Sequence, residues 1–241
     1  MLNRTIALSH CSRISLVVLF GAVHLIILVT IAIAAAGLAW GLRAGRLPAN
    51  VVRLTFGYGL LVNELIWWAF RYSHEGVHLT NLPLQLCDMT LWVTVAACLF
   101  LRHSLVEFAY FAGLAGAGMA LLTPDLWSPW PSYPAIYFFV VHGGIVAANL
   151  VLIYGQIARL KPGAPWRAAA MLVAYAALVG AFDAVTGANY MYLMRKPKNA
   201  SLLDALGPWP VYLLPGLLVA LMLFWLLWLP ARGARPVRRT T

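Results

Sequence analysis

Long apolar runs alternate with short polar connections along nearly the whole chain. Seven runs, at about 16–40, 51–72, 83–101, 105–122, 135–158, 166–187 and 211–228, approach the length of a membrane-crossing helix, which needs roughly 20 apolar residues at 1.5 Å per residue. The pattern predicts an all-α, polytopic transmembrane helical bundle of about seven spans, with residues 1–241 forming a single integral membrane domain. The first run is too long for the apolar stretch of a signal peptide and ends at Trp40 before Arg43 and Arg46, so it reads as a retained anchor.

Polar residues inside these runs are few and patterned. Glu64, Trp67, Trp68 and Arg71 fall at i, i+3, i+4 and i+7. On a helix that is one face, so Glu64 and Arg71 can point into the same interior space. The third run is expected to start at Asn81-Leu82-Pro83, with the proline in the first turn, where its missing N–H leaves no bond unmade. Along it Cys87, Thr90 and Thr94 share a stripe, with Asp88 about a quarter turn away. His142, Asn149 and Gln156 recur seven apart and are expected to look inward, since a polar group facing lipid is penalised. His24 reads as a satisfied interior histidine, and Gly113, Gly116 and Gly118 as positions of close helix contact.

His74-Glu75-Gly76-Val77-His78 matches the HExxH zinc pattern, which on a helix sets two imidazoles on one side of a metal. Here a glycine lies inside the motif and the next helix is expected three residues later. A polar surface loop is the simpler reading, and no metal or other cofactor is expected.

Composition agrees with the pattern: 63% of residues are hydrophobic, 10% are charged, and the mean hydropathy is +0.83. A formal net charge of +10 could suggest nucleic acid. The Lys and Arg residues, however, sit in connections and tails rather than on an amphipathic face, so no nucleic-acid partner is expected and membrane lipids are. Arg4, Arg13, Arg71, Arg195, Lys196 and Lys198 fall on one side of the seven-span arrangement and the rest of the 17 basic residues on the other. The positive-inside rule then puts the N-terminus out and the C-terminus in, in a multi-pass protein of the cell membrane. Cys11, Cys87 and Cys98 form neither a paired framework nor a metal spacing.

In that topology, counting inward at 1.5 Å per residue sets Cys87 about 7 Å deep, Glu64 and His142 about 10–12 Å and Asp183 about 6 Å. Glu64, Asp88 and Asp183 would each cost roughly 2.5–3.5 kcal/mol against lipid at a span centre. They are therefore expected to line one shared cavity that opens to the outer leaflet.

Leu82 to Asp88 (LPLQLCD), Thr123 to Trp127 (TPDLW), Phe138 to Gly143 (FFVVHG), Asn189 to Pro197 (NYMYLMRKP) and Ser201 to Tyr212 (SLLDALGPWPVY) together resemble the YwaF-like integral membrane proteins. The likeness runs in the same order over roughly residues 64 to 215. Eukaryotic relatives of that family include an acyltransferase that remodels ether phospholipids through a membrane-embedded cysteine and histidine. The resemblance implies those roles for Cys87 and His142; it does not extend to HEGVH, and the position of Gln85 varies in type among members.

The expected function is acyl transfer on phospholipid acyl chains. Cys87 would be the nucleophile, His142 the proton carrier, and Asp183 or Asp88 the group orienting the imidazole. Amides of Asn63, Gln85 or Asn189 could stabilise the oxyanion. Arg195, Lys196 and Lys198 are placed to hold a lipid phosphate, and Glu64, Tyr190 and Trp209 complete the expected substrate contacts. With water as acceptor the same residues would make a lipid hydrolase. The competing class is a non-enzymatic transporter or binding protein for a small solute, because interior polar residues also mark solute pathways.

Overall fold

The structure is a computed structural model that describes residues 21–126, 128–197 and 202–233. Arg4, Cys11, Arg13, the first residues of the first expected span, Trp127, Lys198, Ser201 and the arginines after 233 lie outside the described residues. Among the described residues 75% are helical and none is in a strand. Its long helices are α1 (Ala22–Arg43), α2 (Ala49–Glu75), α3 (Leu86–Phe100), α4 (His103–Leu122), α5 (Tyr133–Tyr154), α6 (Ala164–Thr186) and α7 (Leu213–Ala231).

Five of them, α1, α4, α5, α6 and α7, are long and apolar enough to cross a membrane. The other two differ for separate reasons. α3 is apolar but has only 15 residues, and the 27-residue α2 carries Arg53, Glu64, Arg71 and Glu75.

α5 is the centre of the bundle. Its most apolar stretch is 72% buried, against 17% for α1 and 6% for α7, and α1, α2, α3 and α4 all pack on it. α4 packs on α5 along Leu114–Leu122 and through one wide π turn before it, Ala109–Gly113. A Cβ at Gly113 would meet the Ile145 side chain at 3.0 Å, so of the three expected contact glycines this one sets a close approach, whereas Gly118 has nothing within 4 Å. In the same turn the Tyr110 hydroxyl donates to the Leu227 carbonyl at 3.1 Å and lies 3.3 Å from the Tyr154 hydroxyl, joining α4 to α7 and α5. His24 is fully buried, its Nε2 2.7 Å from the Leu121 carbonyl, as expected for an interior histidine.

Two element ends differ from the sequence reading. α3 starts at Leu86, three residues after Pro83. Gln85 is its N-cap, and the Asp88 carboxylate reaches back to accept the Gln85 N–H at 3.1 Å, as an acidic N3 residue does. α5 stops at Tyr154, and Gln156 adopts a left-handed φ of 61° in the turn beyond it. The polar stripe is thus His142 and Asn149 alone.

Buried backbone ends are closed by charge. Arg53 Nη1 donates to the Cys98 and Leu99 carbonyls at 2.6 and 2.9 Å, a cation placed at the negative end of α3. Glu107, buried near the start of α4, accepts from Arg167 Nε and Nη2 at 2.8 and 2.7 Å and from the Lys161 N–H at 3.2 Å. That bidentate pair fastens α4 to α6, because a buried carboxylate stripped of its partner is far costlier than the intact pair. Arg167→Met should lower stability in detergent by about 3 kcal/mol, and Arg167→Met with Glu107→Leu should recover most of the loss. Thermal melts of the two variants beside the parent check both.

Candidate functional site

The site is built on the first turn of α3 and the faces of α2 and α5 opposite it. Trp67, Arg71 and Glu75 from α2, Gln85, Cys87, Asp88 and Leu91 from α3 and its cap, and Tyr137 and Val141 from α5 line a cavity of about 330 Å3. The helical periods explain which residues meet there: 67, 71 and 75 are spaced by four, as are 87 and 91, and 137 and 141. Further along the α3 stripe Thr90 and Thr94 are fully buried, and Thr94 accepts from Asn149 Nδ2 at 3.0 Å. The expected stripe is therefore real, with Cys87 at its open end.

Glu64 lies behind the wall, with no exposed surface. Its two oxygens accept from Trp68 Nε1 at 2.6 Å and from the Tyr137 hydroxyl at 2.5 Å. Tyr137 in turn stacks flat on Trp67, ring centroids 4.1 Å apart at 12°. Arg71 pairs with Glu75 at 2.9 Å and stands 5.3 Å over the Trp68 ring. The interior partners expected for Glu64 are thus an indole and a phenol, and Arg71 is held at the rim. Asn63, beside Glu64 in sequence, has a buried Nδ2 without a hydrogen-bond partner among the described residues.

Cys87 faces the cavity and is half-buried, whereas Cys98 is sealed in the core. His142 follows the wall residue Val141 but does not itself line the cavity. Its Nδ1 lies 2.7 Å from the Phe138 carbonyl. A carbonyl only accepts, so in the neutral ring Nδ1 carries the hydrogen and Nε2 the lone pair. The imidazole is oriented by that backbone oxygen. Asp183 sits near the end of α6, 1% exposed, with neither carboxyl oxygen hydrogen-bonded among the described residues.

A strap after α6 closes the α3 end of the site. Met191 and Tyr192 are both left-handed, with φ of 53° and 54°, a conformation that costs non-glycine residues of order 1–3 kcal/mol and needs support. The support comes from the residues read as substrate contacts. Asn189 Oδ1 accepts from the Met194 and Arg195 N–H groups, and its Nδ2 donates to the Arg195 carbonyl at 2.9 Å. The Tyr190 hydroxyl donates to the Leu79 carbonyl and accepts the Leu82 N–H. The Met191 N–H donates to Gln85 Oε1 at 2.9 Å, Trp209 Nε1 to the Leu193 carbonyl, and the Tyr212 hydroxyl to the Tyr192 carbonyl. Lys196 Nζ is 3.5 Å from Asp204 and 5.8 Å from the Tyr212 ring centroid.

The HEGVH segment is divided by Gly76, whose φ of 72° ends α2 between the two histidines. His74 Nδ1 lies 2.7 Å from the Phe70 carbonyl and His78 Nε2 2.9 Å from the Glu75 carbonyl. Sequence reasoning missed Tyr137 as a wall residue, since one aromatic in an apolar run carries no periodic signal. It had Trp67 and Arg71 on the right face without assigning them to the site.

An all-helical bundle with several membrane-length helices and a half-enclosed polar chamber defines a multi-pass membrane protein. The chain belongs to the TMEM164 family, a transmembrane protein family whose model matches residues 15–229. No curated protein and no solved structure matches it.

Tyr137→Phe would leave one oxygen of the buried Glu64 without a donor and should destabilise the protein by about 1–3 kcal/mol. Glu64→Gln in the same background should restore part of that loss. Melting temperatures in one detergent decide the matter.

Proposed function

We propose that this TMEM164-family protein transfers acyl groups between membrane lipids, with Cys87 as the nucleophile. The observation that carries the reading is a thiol on the wall of a polar chamber, at a helix N-terminus, beside an amide and a carboxylate. The Cys87 sulfur, giving its proton to His142 Nε2, attacks the carbonyl carbon of a lipid ester. A C–S bond forms, the ester C–O bond breaks, and the departing alkoxide takes the proton back from the imidazolium. A second lipid hydroxyl then yields its proton to Nε2 as its oxygen attacks the thioester; the new C–O bond forms, the C–S bond breaks, and the departing thiolate takes that proton back from the imidazolium; water in that place gives hydrolysis.

The tautomer fixed by Phe138 supports His142 in this role, because it leaves Nε2 as the basic atom. Gln85, whose Oε1 is taken by Met191, has its amide hydrogens to offer the oxyanion. Asp88 holds the cap under the thiol, and Asp183 belongs to the strap side. Lys196 is the cation for a lipid phosphate. The acyl-lipid substrate reaches the chamber from the outer leaflet, in an arrangement where all seven helices cross, the N-terminus is outside and the C-terminus inside.

Solute binding or transport is the second reading. It is favoured by one fact, the absence of His142 from the chamber wall. In proteoliposomes, Cys87→Ser should abolish acyl exchange between labelled phospholipids and His142→Gln should slow it about 100-fold or more. Full exchange by Cys87→Ser would eliminate covalent catalysis at this residue, and solute uptake unaffected by Cys87→Ser would favour the second reading.

A further inference from the structure

A second, larger space lies against the same turn of α3. It is a groove of about 610 Å3 between α6 and α7. From α6 come Leu172, Val173, Ala176, Ala177 and Gly180, a stripe at i, i+1, i+4, i+5 and i+8, and from α7 Leu213, Gly216, Leu217 and Ala220 at i, i+3, i+4 and i+7. The strap adds Met191, Leu193 and Met194 to its lining, and α3 adds Leu86. Leu86 lies between Gln85 and Cys87, which face the polar chamber. Steps of about 100° per residue therefore turn successive side chains of one helical turn into two different spaces.

We infer that the groove between α6 and α7 binds one hydrocarbon chain of a membrane lipid and leads it to the turn that carries Cys87. Three observations choose this occupant. The walls are aliphatic along the length of the groove, and the hydroxyl of Tyr212, its one polar wall residue, already donates to the Tyr192 carbonyl, so nothing is left to hold a polar ligand there. The flanks of the groove on α6 and α7 carry exposed aliphatics, Leu178, Val185, Leu214 and Leu218, as a surface facing lipid does. At the strap end Lys196 stands beside Tyr212, giving a cation at the end of an apolar slot, the pattern that fits a chain with an anionic head. The groove is within the size range of small-molecule clefts. Delivery of the chain to Cys87 rests on the acyl-transfer reading; occupation of the groove does not.

Gly216 provides the plug. A Cβ there meets nothing within 4 Å, so Gly216→Phe can enter the groove without backbone strain. Gly37 on α1 is equally open, and Gly37→Phe is the control. The full-length protein is reconstituted in phosphatidylcholine vesicles containing phosphatidylcholine with a mid-chain diazirine, illuminated, and its adducts mapped by mass spectrometry. Adducts should concentrate on Ala176, Ala220 and Met191 above Leu178 and Val185. They should fall about tenfold in Gly216→Phe, while adducts on α1 and those of Gly37→Phe stay at the parent level.

Groove adducts no stronger than those on Leu178 and Val185, or indifferent to the plug, would overturn the inference. So would Gly216→Cys forming a disulfide dimer with no lipid adduct in the groove, since a second copy would then cover it. Cys87→Ala separates the two claims: it should lose acyl transfer and keep the groove adducts. Parent protein that shows the adducts but transfers no acyl group would end the proposed function and leave the groove standing. Acyl transfer without groove adducts would do the reverse.

Discussion

A carboxylate with no exposed surface has to be answered by donors fixed in place, and Glu64 is answered by two. Trp68 lies one turn along the same helix and costs little to position, but Tyr137 comes from α5, so its bond to Glu64 sets the spacing and rotation of α2 against the most buried helix of the bundle. Loss of either bond would leave a buried carboxyl oxygen without a donor, which costs more than an unmade bond at the surface. The same phenol stacks on Trp67 and forms part of the chamber wall. The chamber owes its shape to the way Glu64 is buried.

Helical periodicity made much of this legible. The apolar runs located every long helix, and two stripes, Glu64 with Trp67 and Trp68, and Cys87 with Thr90 and Thr94, pointed inward as their spacing required. What failed were the ends. Pro83 looked like a helix start, yet Tyr190 and Gln85, bonded to segments about a hundred residues away, hold the backbone there in a different course. Gln156 matched the heptad spacing, but the helix stops before it with Gly155. The π turn in α4 carries Gly113, a close contact the sequence did signal, against Ile145, and Tyr110, whose reach to Leu227 local sequence does not record.

The strap differs in another way. Asn189 is an expected oxyanion donor, and Tyr190 and Trp209 are expected substrate contacts. In the fold their polar groups are used on backbone: Asn189 on its own turn, Tyr190 on Leu79 and Leu82, Trp209 on Leu193. The reason is the left-handed pair Met191 and Tyr192, which stays in place only where the surroundings over-determine it. Lys196 differs, since its partner Asp204 is half exposed and 3.5 Å away, a surface pair of small worth that an anionic group can displace.

The two spaces around α3 bear on each other. A water-soluble solute would fill the chamber and have no use for an aliphatic slot beginning one residue away. A free hydrocarbon chain would fill the slot and gain nothing from Arg71, Gln85 and Asp88. Only an amphiphile uses both, its polar part in the chamber and its chain in the groove, and the junction between those parts then falls at the turn where Gln85, Leu86 and Cys87 alternate. In a lipid that junction is the ester. An acyl carbonyl held there would meet Cys87, which lines the chamber, whereas His142 does not line it. Under the acyl-transfer reading, the group that has to move between resting and reactive protein is thus His142 rather than the cysteine.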